Sequence, residues 1–204
     1  NIAITFHAPE DINLCTKQGG ILEAGMERMK ECIDFAHAVG GERFTFHIGD
    51  SVNFTMFDSS VRLEEYYLDD YVSVMRSAIL RICEYGYGRT VLCAENAGFF
   101  GEGKAEAIAD MLGNGLYLTW DIGHSFGKKE QRDFMTKNIK YVRNAHLHDV
   151  SSGRDHCVIG TGEVDFSRYL SLLSSRDIFY VIEVRPAEAA ALSLQNLRAA
   201  YPGL

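Results

Sequence analysis

Basic residues are scarce in this chain: 20 lysines and arginines face 28 aspartates and glutamates, a formal charge of −8. A basic nucleic-acid footprint is therefore absent at whole-chain level, although a local basic rim or bound metal ions still attract phosphate. Long apolar runs are missing too, and without roughly eighteen consecutive apolar residues no membrane-spanning helix is expected. Prolines number only three, and no Ser- or Gly-rich linker divides the chain, so residues 1–204 read as one domain. The five cysteines (Cys15, Cys32, Cys83, Cys93, Cys157) are odd in number and form no C-x-x-C, which predicts reduced, mostly buried thiols in a cytoplasmic protein. The opening Asn1–His7 has neither a basic leader nor a long apolar core, so no signal peptide is expected. It lacks a Met and reads as the middle of a strand. Nucleotide signatures are missing as well. Gly98-Phe99-Phe100-Gly101-Glu102-Gly103 has the wrong spacing for a dinucleotide fingerprint, and no G-x-x-x-x-G-K-[ST] occurs.

What remains is ordinary globular material: 204 residues, 47% apolar and 24% charged, enough for one sizeable core. Short runs rich in Val, Ile, Phe, Tyr and Thr predict strands at 2–7, 43–48, 90–95, 116–121, 141–148 and 179–184. Between them, apolar residues recur near a 3.6-residue period at 21–39 and 61–85, and less clearly at 104–112, 129–138, 166–174 and 188–200. Strands alternating with helices predict a parallel sheet under helices, either an open doubly wound sheet or a closed (β/α) barrel.

A metal-ligand type recurs where each strand ends: His7, His47, Glu95, Asp121 with His124, His146 with His148 and Asp149, Asp155 with His156, and Glu183. In a barrel those ends converge on one face, where active sites sit. Alternation along a strand points His146 and His148 to the same side without saying which sits at ligand height. Mixed carboxylate and imidazole donors suit Zn²⁺, Mn²⁺, Mg²⁺ or Co²⁺ and do not choose among them. A lone His or Glu ending a strand is ordinarily a turn residue; six strands ending so is the signal. His37 reads as a helix residue without a role. Phe54, Phe57, Tyr66, Tyr67 and Tyr71 are expected to pack beneath a helix, and Glu64-Glu65 and Asp69-Asp70 to form a solvated helix face. Gly160-Thr161-Gly162 is either a phosphate cradle or a turn into the helix after Asp165.

In order, the motifs HAP-EDINL, FHIG, ENAG, DIGH, HLHD, DH-x-x-x-G-x-G-x-x-DF and IEV resemble the xylose isomerase-like TIM-barrel superfamily, which includes sugar isomerases and epimerases and endonuclease IV. The resemblance runs from His7 to Glu183. It implies a (β/α) TIM-type barrel and a divalent-metal site of Glu95, Asp121, His146 and Glu183. His124 and His156 would lie beside that site and touch substrate or a second ion. The activity it implies is isomerisation or epimerisation of a sugar or sugar phosphate, with Glu95 and Glu183 moving the proton. Arg185, two residues after Glu183, reads first as a surface residue after the strand and second as a contact for a distal phosphate or carboxylate. The alternative is an endonuclease IV-like zinc phosphodiesterase acting on abasic DNA, in which His7, His47, His124, His146 and His156 also hold ions. Arg154 stands where that enzyme needs an aspartate, and with the acidic charge this favours the sugar enzyme. Small-molecule substrates, no membrane and an optional homo-oligomer complete the expected partners. Six strand segments against the roughly 250 residues of a whole barrel imply that the first two strands, about 50–60 residues, lie outside this sequence.

Overall fold

The computed structural model describes residues 2–98, 100–174 and 176–202. Its chain forms two compact units, residues 1–118 and 119–204. The first holds β1 (Ile4–His7), α1 (Gly19–Ala38), β2 (Gly41–Phe46), β3 (Asn53–Thr55), β4 (Ser60–Arg62), α2 (Leu63–Tyr66), α3 (Leu68–Gly86), β5 (Val91–Glu95) and α4 (Glu102–Met111). The boundary falls inside β6 (Leu116–Asp121). The second unit continues with α5 (Lys129–Lys137), β7 (Val142–Leu147), β8 (Asp149–Ser151), β9 (Arg154–Cys157), α6 (Phe166–Leu173), β10 (Phe179–Ile182) and α7 (Ala187–Ala200). All six expected strands form, each within two residues of its expected ends. Among the described residues no helix is long and apolar enough to cross a membrane.

In the first unit β1, β2 and β5 run parallel in that order. The register pairs His7 with Thr45, Thr45 with Cys93 and Phe46 with Ala94. His47 and Glu95 lie two residues beyond Thr45 and Cys93, so alternation turns them to the same face of the sheet as His7. The opposite face is apolar and packs against helices. Met26, Met29, Ile33 and Ala36 of α1 are fully buried at spacings of three and four, as are Met75, Ala78, Ile79 and Ile82 of α3. Burial of such side chains contributes roughly 1.5–3 kcal/mol each.

The second unit orders β6, β7 and β10, with His146 opposite Val181 and Ile182 opposite Leu147. The Ile122 N–H donates to the His146 carbonyl and the Glu183 N–H to that of Leu147, so the parallel pattern carries on past both strand ends. Trp120 is fully buried, edge-on to Tyr169, and its indole N–H donates to Ser125 Oγ at 3.0 Å. Ser125 Oγ in turn donates to the Asp121 carbonyl. The bulky aromatic thus pins the turn that follows β6.

Three expectations are corrected. Residues 61–85 are not one helix: Val61 pairs in the β3–β4 hairpin, and the helical run is broken at Tyr67. Of the aromatics expected beneath a helix only Tyr71 is buried, while Phe54, Phe57, Tyr66 and Tyr67 are exposed. They sit on or beside the β3–β4 hairpin and the short α2, with their side chains facing outward. The third correction is Glu64, which is 3% exposed rather than on a solvated face. Its backbone N–H donates to Ser51 Oγ, and its Oε1 has no hydrogen-bond partner among the described residues.

Burial pushes the Glu64 carboxyl above its ordinary value near 4.5, with Lys104 opposing the shift. A folded-state pKa raised above the unfolded one means that the folded protein binds the proton more tightly. Stability is then lost as pH rises from about 4.5 through the folded value. Glu64→Gln removes that loss. We expect it to raise the Tm by a few degrees at pH 7 and to leave it unchanged at pH 4, measured by thermal unfolding at both.

Candidate functional site

The first unit brings three expected residues together at the ends of β1, β2 and β5. Glu95 is 2% exposed. Its Oε2 lies 3.1 Å from His7 Nε2 and 3.4 Å from His47 Nε2, and the two imidazoles meet edge to face at 4.9 Å. His7 Nδ1 is 2.6 Å from the Ala8 carbonyl. A carbonyl only accepts, so Nδ1 carries the proton. In the neutral ring Nε2 then turns a lone pair toward the Glu95 carboxylate. Two lone-pair donors facing one another, with the far imidazole nitrogen fixed on a backbone carbonyl, are what a divalent cation needs from its ligands. Beside His47 a cavity of about 270 Å³ is lined by Glu10, Asp11, Asn13 and Asp50.

The second unit gathers the rest. A carboxylate oxygen of Asp121, a ring nitrogen of His146 and an oxygen of Glu183 lie within 4.8 Å of one another. His146 Nδ1 is 3.0 Å from Glu183 Oε2, and its Nε2 is 3.3 Å from the Asn144 side-chain amide. Asp121 and His146 are buried while Glu183 is partly open. Two carboxylates and an imidazole, one face accessible, suit Zn²⁺, Mn²⁺ or Co²⁺, and Mg²⁺ if water fills the remaining positions.

The register separates His146 from His148. His148 is fully buried behind Asp121, with Nε2 at 3.0 and 3.2 Å from the two carboxylate oxygens. Its Nδ1 accepts the His156 N–H at 2.9 Å, which places the ring proton on Nε2, where it donates to Asp121. Burial lowers the ring's affinity for a second proton and the Asp121 carboxylate raises it, with a net rise. The His156 amide nonetheless holds the Nδ1 lone pair. Both nitrogens are engaged, so His148 orients a ligand instead of being one. Gly123 makes this possible, since a Cβ there would fall 2.0 Å from His148 Cε1. His124 also serves Asp121: its N–H donates to Oδ1 at 2.6 Å and its ring Nδ1 is 3.5 Å from Oδ2. His156 takes a left-handed φ of 52°, stacks face to face on His148 at 4.1 Å, and contacts Asp155 Oδ1 through Nδ1 at 3.2 Å. Asp155, in turn, is held below the usual carboxylate range by His156, and its Oδ2 is 4.0 Å from His124 Nε2.

Other candidates fall outside these groups. Arg185 is exposed after β10, just before Pro186 caps α7. His37 ends α1 with Nδ1 3.0 Å from the Arg89 carbonyl. Gly160-Thr161-Gly162 is a turn and not a phosphate cradle, because its amides are already used. The buried Asp149 accepts the N–H groups of Val150, Gly160, Gly162 and Val164 at 2.8–3.0 Å. A Cβ at Gly162 would lie 2.4 Å from Asp149 Oδ1. The anion cradled by this loop is the protein's own. Sequence reasoning placed Asp149 at a strand end without seeing that role, and Lys104 passed unnoticed within a helical stretch.

The family model described as a xylose isomerase-like TIM barrel matches residues 1–200. An uncharacterized protein of Methanocaldococcus jannaschii, MJ1614, is 24% identical over 206 residues, 97% of this chain and 77% of that protein. Among solved structures, a D-tagatose 3-epimerase-like protein superposes with a TM-score of 0.80 at 23% identity, covering 98% of this chain and 77% of the other. The TTHB071 protein of Thermus thermophilus, in crystals soaked with ZnCl2, gives 0.77 at 18% identity, covering 99% and 79%. At these identities the structures speak to the fold.

His148→Phe keeps a ring against His156 but leaves Asp121 without its Nε2–H donor. We expect divalent-ion affinity to fall roughly 10- to 100-fold, read by competition with a chromophoric chelator. Unchanged affinity in the folded variant would remove His148 from this role.

Proposed function

This chain belongs to the xylose isomerase-like TIM-barrel family, and from that premise we propose that it is a divalent-metal-dependent isomerase or epimerase of a sugar. The observation that carries the reading is the grouping of Asp121, His146 and Glu183 within 4.8 Å, with His148 behind Asp121. These three would hold the ion, with Glu95 as the fourth ligand that the family resemblance assigns. When bound, the ion supplies Lewis acidity that lowers the pKa of a carbon acid beside a substrate carbonyl or hydroxyl. Glu183 is the ligand left partly open, so its carboxylate reaches a substrate C–H and takes the proton. Glu95 is proposed to act as the second acid–base and return the proton to the carbon. His124 and His156 donate to substrate oxygens and fix which carbon faces the carboxylates.

The cavity beside His47 has its own charge character. Glu10 and Asp11 at its edge accept from hydroxyl groups and repel a phosphate, which supports a free sugar over its phosphate ester there.

One observation favours a second reading. His7, His47 and Glu95 have one donor atom each within 4.8 Å of one another, so a site for an additional ion is on offer. Clustered ions suit metal-assisted hydrolysis of a phosphodiester, with abasic DNA the first substrate to try. Arg154 and the charge of −8 weigh against it.

The test is solvent hydrogen exchange. Metal-loaded protein is incubated in D₂O with a panel of free ketoses and their phosphates, and products are read by NMR. We expect deuterium at the epimerised or isomerised carbon, and loss of roughly 10³-fold or more of turnover in Glu183→Gln with the metal still bound. A Glu183→Gln enzyme that turns over normally would end the two-carboxylate scheme. Cleavage of abasic DNA with no sugar turned over would establish the second reading instead.

A further inference from the structure

Strand hydrogen bonds fix the height of His7 and Glu95, but His47 lies one residue beyond β2, outside the ladder. Something else must hold it against Glu95. The turn that carries it is tied down on several sides. Leu14 N–H donates to the Ile48 carbonyl at 2.9 Å, and Asn13 Nδ2 donates to the Asp50 carbonyl at 2.7 Å. Gly49 has a φ of +89°, and a Cβ there would strike Asn13. From α4, Lys104 sends its ammonium to the Gly49 carbonyl at 2.6 Å and to Asp50 Oδ1 at 3.1 Å. Asp50 Oδ2 in turn presses on Gly98, where a Cβ would lie 2.5 Å away. Gly98 belongs to the turn that follows Glu95. Lys104 and Asp50 therefore clamp the turn after β2 to the turn after β5, beneath His47 and Glu95.

The chemistry of this clamp is expensive for a purely structural part. Lys104 is only 4% exposed. Taking the Lys104 ammonium out of water is costly, and an apolar side chain of similar volume often serves stability equally well. What apolar side chains do not supply is direction: a charged donor at fixed reach sets where a carbonyl and a carboxylate must sit. Arg62, 3.9 Å from Asp50 Oδ2 and partly exposed, is too distant to make that bond in its place.

We propose that Lys104 is a positioning residue, which through Gly49 and Asp50 holds His47 in place against Glu95. The role holds whatever substrate the enzyme takes.

The test uses the full chain freed of metal with a chelator, comparing wild type with Lys104→Met/Asp50→Asn, which removes the buried ammonium and its carboxylate partner together. Two readouts report on the clamp: the ¹⁵N and ¹H signals of the His47 imidazole, and hydrogen exchange of the Leu14 amide. We expect a Tm within about 5 °C of wild type. The His47 signals should shift to those of a solvated imidazole, and Leu14 should exchange on the order of tenfold faster. The His148 signals should not move. Gly98→Ala pushes on Asp50 from the other side without disturbing either charge, and should displace the His47 signals as well. Unchanged His47 signals in either folded variant would overturn the proposal. So would a double variant that fails to fold, or one in which His47 and His148 change alike, because either shows general packing and not positioning.

Discussion

A carboxylate with no exposure to water must be satisfied by something else, and in the second unit Asp121 sets that demand. An ionised group in so dry a place is tolerated only when it is fully hydrogen-bonded or paired. The chain meets the demand with two donors, the His124 amide and the His148 imidazole, and Trp120 pins the turn that carries His124. Each of these has its own support. His148 needs Gly123 to be without a side chain and needs the His156 amide to fix its tautomer. Trp120 needs Ser125 to take its indole N–H. The motif DIGH is thus a single device for holding one charge. The hairpin of β8 and β9 contributes by bringing His156 back over His148.

Glu95 poses the same problem in the first unit, and the answer differs. It lies against the imidazoles of His7 and His47, and the far nitrogen of His7 donates to the Ala8 carbonyl. A site built this way leaves donor lone pairs pointed inward, which is wasteful for a turn and useful for a cation. Asp149 is the instructive contrast. It is equally buried, yet four backbone amides satisfy it, so it organises a loop and has no capacity left for an ion. Burial of an acid therefore does not mark a site; the kind of partner does.

Much of this was legible in the chain itself. The strands were readable because β-branched and aromatic runs stop abruptly at His, Glu or Asp, and a parallel register brings such ends to one level. That His146 and not His148 faces Glu183 was not readable, because residues two apart share a face and differ only in height. Glu64 looked solvated since it sits in a run with Glu65; whether a short helix turns a side chain inward depends on what packs over it. Gly160-Thr161-Gly162 carried an anion-cradle pattern correctly, but the identity of the anion depended on a contact eleven residues away. Lys104 gave no signal at all, since a lysine in an amphipathic helix ordinarily faces water.

The account rests on a divalent ion held by Asp121, His146 and Glu183. The most direct measurement is elemental analysis of protein purified without chelator, alongside Asp121→Asn and His146→Ala. We expect at least one zinc, manganese, magnesium or cobalt ion per chain in the wild type, retained through gel filtration and lost in both variants. Wild-type protein that carries none, and takes up none when titrated with each of these metals, would contradict the account.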